Sequence, residues 1–325
     1  MLVIVCPGQG SQSPGFLAPW MELPAFAERM SSLSEAAGID LVAHGTTSDA
    51  ETIRDTAVAQ PLLVASGLAA LSVLVPEGLG STTPVGAVGG HSVGEITAAA
   101  AAGVLAEDEA VVFVRERGRA MAEASSVTPT GMSAVLGGDP DEVAAVLDKH
   151  GLTPANVNGA GQVVAAGTLE QLAALKDEPP AKARVIPLQV AGAFHTQHMA
   201  PAVGTLAERA ASMTPKAPNV ALVSNADGTV VVDGAEVLAR LVSQVSNPVR
   251  WDLCQATLTE LGATALIELP PAGTLANLAK RTMPGIQTLA LKTPDQLDIA
   301  RALIAQHAGE SIAPEDNPRT TGADE

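Results

Sequence analysis

Gly90-His91-Ser92-Val93-Gly94-Glu95 is the stretch from which the fold of this chain is read. It has the form G-x-S-x-G, with a β-like run before it (Pro84 to Gly89) and an Ala-rich run after it (Val93 to Leu105). A strand that turns sharply into a helix crowds its own backbone, and glycines on both sides of the serine relieve that crowding. The serine hydroxyl is then pushed out of the turn. Free N–H groups at the helix start, Val93 among them, are placed to receive negative charge developing on a substrate carbonyl. The motif alone leaves two readings open, a nucleophile elbow or a Gly-rich turn of any α/β protein.

Around it lies material for about two domains, since the chain has 325 residues. Hydrophobic residues make up 47% and aromatics only 2%, so the core is built from Ala, Val and Leu. A formal charge of −17 argues against a nucleic-acid binder, which needs a basic face. Cys6 and Cys254 form neither a C-x-x-C nor a disulfide framework, so both are expected reduced and the chain cytoplasmic. Met1 to Cys6 lacks a basic leader and runs into Pro7-Gly8, which reads as a first strand. The weakly polar run Ile96 to Ala106 is too short to span a bilayer, and no membrane partner is expected.

Gly8-Gln9-Gly10 after the first strand suggests a dinucleotide loop, but Ser13 stands where the third glycine is required, followed by Pro14-Gly15 and not a helix. Leu23 to Gly38 and Thr52 to Leu74 have helical spacing, and Pro61 is expected to end or kink the second. Glu107-Asp108-Glu109 opens a helix reaching about Ala124. Within it Arg119 has Glu116 and Glu123 at ion-pair spacing, whereas Arg115 and Arg117 have no local counter-ion; helix spacing does not choose between those two.

Residues 126–191 form a self-contained pattern. Met132 to Leu136, Ala155 to Asn158, Gln162 to Ala166 and Val185 to Val190 read as strands. Helices opened by Asp139-Pro140 and by a Thr168–Gln171 capping box alternate with them. The order β-α-β-β-α-β is ferredoxin-like and implies a small domain inserted into a larger one. The expected fold class is α/β: a hydrolase-like large domain (1–125 and 192–307) with a mostly parallel sheet covered by helices, the insert at 126–191, and a disordered tail at 308–325.

A serine nucleophile needs a base. Of six histidines, His44 and His307 lie in polar segments, His150 ends a helix, and His91 sits on the other side of the turn, leaving His195 and His198. His195 stands in a Gly-containing turn before a helix, where an active-site loop presents such a group. No carboxylate or cysteine nearby completes a metal site with the pair, so no metal is expected.

Six stretches then occur in one order: Gly8-Gln9-Gly10-Ser11-Gln12, Gly90 to Glu95, Arg117-Gly118, Asn156-Val157-Asn158 with Gly161-Gln162-Val163-Val164, Ala193-Phe194-His195, and Asn247-Pro248-Val249-Arg250-Trp251. From about residue 3 to 290 the chain resembles the malonyl-CoA:acyl carrier protein transacylases. The resemblance implies Ser92 as the acylated nucleophile and His195 as general base and acid. It implies an oxyanion hole from the backbone N–H groups of Gln12 and Val93. Gln244, with Asn247, would orient His195 through a backbone carbonyl in place of a triad carboxylate. Arg117 would pair with the malonyl carboxylate, with Asn158 and Gln60 lining the cleft. Two departures stand out: Pro270-Pro271-Ala272 replaces a Gly-Pro-Gly turn, and Phe194 resembles the form found in malonyl-selective domains, where its ring would block an α-methyl group.

The resulting expectation is a monomeric, cytoplasmic acyltransferase without cofactor. It would move malonyl from malonyl-CoA to acyl carrier protein for fatty acid synthesis. A polyketide pathway, a serine thioesterase or hydrolase, and a silent carrier-binding protein are the alternatives. Acidic carriers would dock on local cations, for which Lys182, Arg184, Lys280 and Arg281 are candidates.

Overall fold

The computed structural model describes residues 1–80 and 83–307, so the expectation for 308–325 lies outside the described residues. The first segment holds β1 (Leu2–Cys6), α1 (Pro24–Ala37), α2 (Leu41–Thr46), α3 (Thr56–Leu74), β2 (Val85–Gly90), α4 (Gly94–Ala101) and α5 (Glu107–Val127). The middle one holds β3 (Thr130–Gly137), α6 (Pro140–Lys149), β4 (Thr153–Gly159), β5 (Gln162–Thr168), α7 (Leu169–Asp177) and β6 (Ala183–Pro187). The last holds α8 (Ala200–Ala210), β7 (Ala221–Val223), β8 (Val230–Val231), α9 (Gly234–Ser243), β9 (Val249–Arg250), α10 (Trp251–Glu260), β10 (Ala265–Glu268), α11 (Thr274–Thr282), β11 (Gln287–Ala290) and α12 (Leu297–Gln306).

The result is a mixed α/β structure with two sheets. The larger has the order β11-β10-β1-β2-β7-β8, parallel throughout except for the β7–β8 pair. Strand β1 is buried along its whole length, which is why its sequence is uniformly apolar. Its side chains alternate between two cores: Leu2, Ile4 and Cys6 join one with α3 and α5, while Val3 and Val5 join the other with α10 and α11.

The smaller sheet has the order β6-β3-β5-β4-β9, with β3, β4, β5 and β6 antiparallel and their own apolar cluster around Val135, Leu147, Leu152 and Leu175. The Asp139 cap and the Thr168–Gln171 capping box both form at its helices. Its fifth strand, β9, comes from the last segment and pairs parallel with β4. Sequence periodicity does not reveal it, because two residues carry no alternation.

Pro61 does not end a helix: α3 runs through it from Thr56 to Leu74. The proline removes one N–H from the second turn, and burial of nearly every residue of α3 outweighs that loss. This helix, and not Ile96 to Ala106, is the apolar segment of membrane-spanning length, yet 83% of that stretch is buried within the fold. It packs against α1, α4 and α5.

Candidate active site

Parallel strands β1, β2 and β7 are neighbours, so the loops at their C-terminal ends converge on one edge of the large sheet. They deliver Gly8–Ser11, Ser92 and Asn225. The turn at Ser92 is as tight as the glycines require: a Cβ at Gly90 would lie 2.0 Å from the Gly94 carbonyl, and one at Gly94 would lie 2.2 Å from Cys6 O. Ser92 itself has φ 54°, a left-handed conformation that costs a residue with a side chain about 1–3 kcal/mol. The helical ladder begins with Gly94 N–H to His91 O and Glu95 N–H to Ser92 O, which places the Val93 N–H ahead of it.

His195 also has a left-handed backbone, φ 61°, and its N–H donates to Val245 O. Nδ1 lies 2.8 Å from the Gln244 carbonyl oxygen and Nε2 lies 2.7 Å from Ser92 Oγ. A carbonyl only accepts, so Nδ1 carries the proton and Nε2 presents its lone pair to the serine hydroxyl. Burial, followed by the Arg117 charge, pushes the imidazole down to about 3, so it rests neutral. Asn247 holds the same turn: its N–H donates to Gln244 O and its Nδ2 to Ser243 O, with the side chain exposed. His198 lies in the following 3-10 turn and is not on the cavity wall.

Of the three arginines, Arg117 is fully buried, whereas Arg115 pairs with Glu116 and the Ala37 carbonyl, and Arg119 is exposed. Gly118 accounts for the placement. A Cβ there would come within 2.8 Å of Thr56 O, so the glycine lets α5 lie against the start of α3 and brings Arg117 beneath Gln60. Nη1 donates to Gln60 Oε1 at 2.7 Å and Nη2 to Gln244 Oε1 at 2.8 Å, while Nε has no hydrogen-bond partner. Burial lowers the guanidinium to about 10, opposed by the charge of Glu95. The group is a buried cation with amide oxygens where a carboxylate would ordinarily sit.

Between the large sheet's edge and the small sheet lies a cavity of about 280 Å³. Ser92, Val93, His195, Gln60, Phe194 and Asn158 line it. Asn158 Oδ1 meets His91 Nε2 at 2.9 Å, and His91 in turn stands edge-on to Trp251. Arg117 is one layer back, behind Gln60. Gln12, whose backbone N–H is expected at the oxyanion hole, stands at the end of the loop after β1. The loop after β1 turns at Gly10 (φ 100°), Gly8 to Ser11 face the cavity, and Gln12 does not line it. Its side chain folds away instead, accepting from Gly10 N–H and donating to Ile53 O.

Two buried residues escaped the sequence reading. Asn225 follows β7; its Oδ1 accepts the Ser92 N–H at 2.8 Å and its Nδ2 donates to Gly90 O at 2.7 Å. Its signal was a polar residue at the C-terminal end of a strand adjoining the elbow strand. Glu95, inside the elbow motif, accepts from Asn225 N–H and from Gln244 Nε2. Burial holds its carboxyl up at about 7. The expected Gly-Pro-Gly position is occupied by a turn with Ala272 at φ 54°, after which Glu268 accepts from the N–H groups of Gly273, Leu275 and Ala276 at the start of α11. Among the described residues no group of three or more His, Cys, Asp or Glu is arranged to hold a metal.

A strained serine, a neutral histidine held by a backbone carbonyl, and a buried arginine around one cavity are the parts of an acyl-transfer site. The family model for the acyl transferase domain matches residues 3–306. The chain belongs to that family. Among curated relatives, the malonyl CoA-acyl carrier protein transacylase of Mycobacterium tuberculosis is 51% identical over 298 residues, covering 92% of this chain and 98% of the relative. The crystal structure of MCAT from the same organism superposes with a TM-score of 0.88 at 50% identity, covering 93% of this chain and 99% of that one. A malonyl-transacylase solved in complex with its type II PKS acyl-carrier protein has a TM-score of 0.86 at 30% identity, covering 93% and 99%. Family membership thus spans both segments of the large sheet and the small sheet between them.

Proposed function

We propose that this chain transfers malonyl from malonyl-CoA to the phosphopantetheine thiol of an acyl carrier protein through a malonyl ester on Ser92. The observation that carries the reading is the 2.7 Å contact between Ser92 Oγ and the lone-pair nitrogen of His195, in a cavity backed by a buried, carboxylate-free Arg117. The names of the relatives point to the same substrates.

In the first half-reaction Ser92 Oγ attacks the thioester carbonyl while its proton passes to His195 Nε2. The carbonyl oxygen gains negative charge, which the Val93 N–H receives. The C–S bond breaks, and the coenzyme A thiolate takes the proton from the imidazolium. In the second, the carrier thiol gives its proton to His195, its sulfur attacks the ester carbonyl, and Ser92 Oγ leaves with the proton. The Gln244 carbonyl holds the tautomer in both directions but stabilises imidazolium less than an ionised aspartate would. The malonyl carboxylate takes Arg117 Nη1 from Gln60 Oε1, so Gln60 is the group displaced on binding. Such a fork donates two parallel bonds to a carboxylate.

On the same reading, 1–125 and 192–307 form a hydrolase-like unit and 126–191 a ferredoxin-like insert, supported by the strand order β6-β3-β5-β4. The register sets Arg184 beside Leu136 and Leu136 beside Gln162, and Arg281 Nη2 donates to Gln162 Oε1 at 3.3 Å. Gln162 lines the cavity, so Arg184 and Arg281, with Lys182 and Lys280 within two residues of them in sequence, are proposed as the carrier's landing site. The destination is a cytoplasmic fatty acid pathway; the relative solved with a PKS carrier makes polyketide synthesis the second reading.

Intact-protein mass after brief exposure to malonyl-CoA tests this. The expected result is one malonyl group on Ser92 that persists in buffer and is discharged by holo carrier protein. Rapid loss in buffer would instead identify a hydrolase, and no adduct would refute the assignment of Ser92.

A further inference from the structure

Glu95 ends the elbow motif, yet no step of the transfer chemistry uses it. It is 3% exposed, and a carboxyl group inside a protein must be hydrogen-bonded to be tolerated. Its two oxygens serve two different loops. Oε1 accepts the Asn225 N–H at 3.2 Å, and Oε2 accepts Gln244 Nε2 at 2.6 Å.

Each partner is itself attached to a working group. The Asn225 side chain bridges Ser92 N–H and Gly90 O, pinning the strained turn from both sides. Gln244 holds His195 Nδ1 with its backbone carbonyl and Arg117 Nη2 with Oε1, while Nε2 also reaches Ser92 O at 3.2 Å. We propose that Glu95 is a positioning residue for acyl transfer: one buried carboxyl group that, through Asn225 and Gln244, fixes Ser92, His195 and Arg117 relative to one another. The inference rests on the acyl-transfer reading above.

Donor and acceptor chemistry explains why the position carries a carboxyl group. Arginine only donates, so the Gln244 amide must turn Oε1 toward Arg117 and Nε2 toward Glu95. The Asn225 backbone also donates. Position 95 therefore faces the Asn225 N–H on one oxygen and the Gln244 amide on the other, with the Ser224 hydroxyl as a third partner, and needs an acceptor at both ends, which glutamine cannot supply: one of its ends would set N–H against N–H. Charge adds to this. Arg117 touches no carboxylate, and Glu95, one amide away, acts to keep its charge despite burial.

The test uses the full chain with Glu95→Gln, Gln244→Met and the double variant. Gln244→Met keeps the backbone carbonyl to His195 and removes the side-chain bonds to Glu95, Arg117 and Ser92 O. Rapid-quench mass spectrometry at saturating malonyl-CoA and acetyl-CoA reads the rate of acyl-Ser92 formation. Each single variant is expected to slow malonyl transfer about 100-fold, the order of loss for a displaced reacting group. The ratio of malonyl to acetyl rates should fall as well, since Arg117 loses its alignment, and the double variant should be no slower than the slower single one. A loss of fold stability alone would leave that ratio unchanged and would compound in the double variant. Glu95→Gln that acylates within twofold of the unsubstituted chain at the same ratio overturns the proposal, and so do losses that multiply in the double variant. If Glu95→Gln does not fold, Glu95→Asp is read by the same twofold criterion and ratio, because Gln244→Met also removes a direct bond to Arg117. An unsubstituted chain that takes up no malonyl refutes the acyl-transfer reading, and this one with it.

Discussion

Ser92 and His195 meet at 2.7 Å although both have left-handed backbones, so the contact depends on two conformations that neither residue favours. Asn225 and the Val245 carbonyl hold them there. Ser92→Ala is expected to abolish the malonyl adduct. His195→Ala, with the hydroxyl still in place, should slow its formation about 10³-fold, within the range for loss of a general base. Single-turnover mass spectrometry measures both.

Arg117→Ala should lower malonyl transfer about 100-fold or more, in keeping with removal of a buried partner for a charged group. Acetyl transfer should fall less or rise. Arg117→Lys should not restore malonyl transfer, because an ammonium cannot offer two parallel bonds. Competition between the two thioesters reads the outcome, and equal losses for both would make Arg117 structural.

Phe194 is buried and lines the cavity beside His195. Replacing it with alanine should raise the rate with methylmalonyl-CoA relative to malonyl-CoA by about tenfold, the effect of about one methyl group in an apolar pocket. An unchanged ratio would show that the ring does not face the α-carbon.

The His195 imidazole, depressed to about 3 from an ordinary 6.5 chiefly by burial, should show no titration in its ring NMR resonances between pH 8 and pH 5. The sign follows for stability: below pH 6.5 the unfolded chain gains a proton that the folded one refuses. The histidine's contribution is therefore present above 6.5 and is lost as the pH falls toward 3. A midpoint near 6.5 in the folded protein would contradict the burial argument.

Much of this architecture was legible in sequence for physical reasons. Gly90 and Gly94 admit no Cβ, so the elbow announced itself, and the two helix caps of the small sheet rested on local hydrogen bonds that need no tertiary context. What stayed hidden depended on distant partners. Arg115 and Arg117 are alike in helix spacing, and only the approach of α3 at Gly118 separates them. Gln9 and Gln12 stand three residues apart in one loop, and the turn at Gly10 decides which faces the cavity. Asn225 and Glu95 are 130 residues apart and meet only once β2 and β7 pair.

Strand β9 contributes only Val249 and Arg250 to the small sheet, yet it comes from the chain just after Gln244 and Asn247. An engineer who transplants 126–191 between relatives to exchange acyl preference would therefore cut through a sheet and not around one. The donor's β4 would arrive without the edge strand it was matched to, and the recipient's β9 would keep its grip on the turn that holds His195. A chimera that carries both pieces, the insert and the segment from 244 to 251, keeps that seam intact.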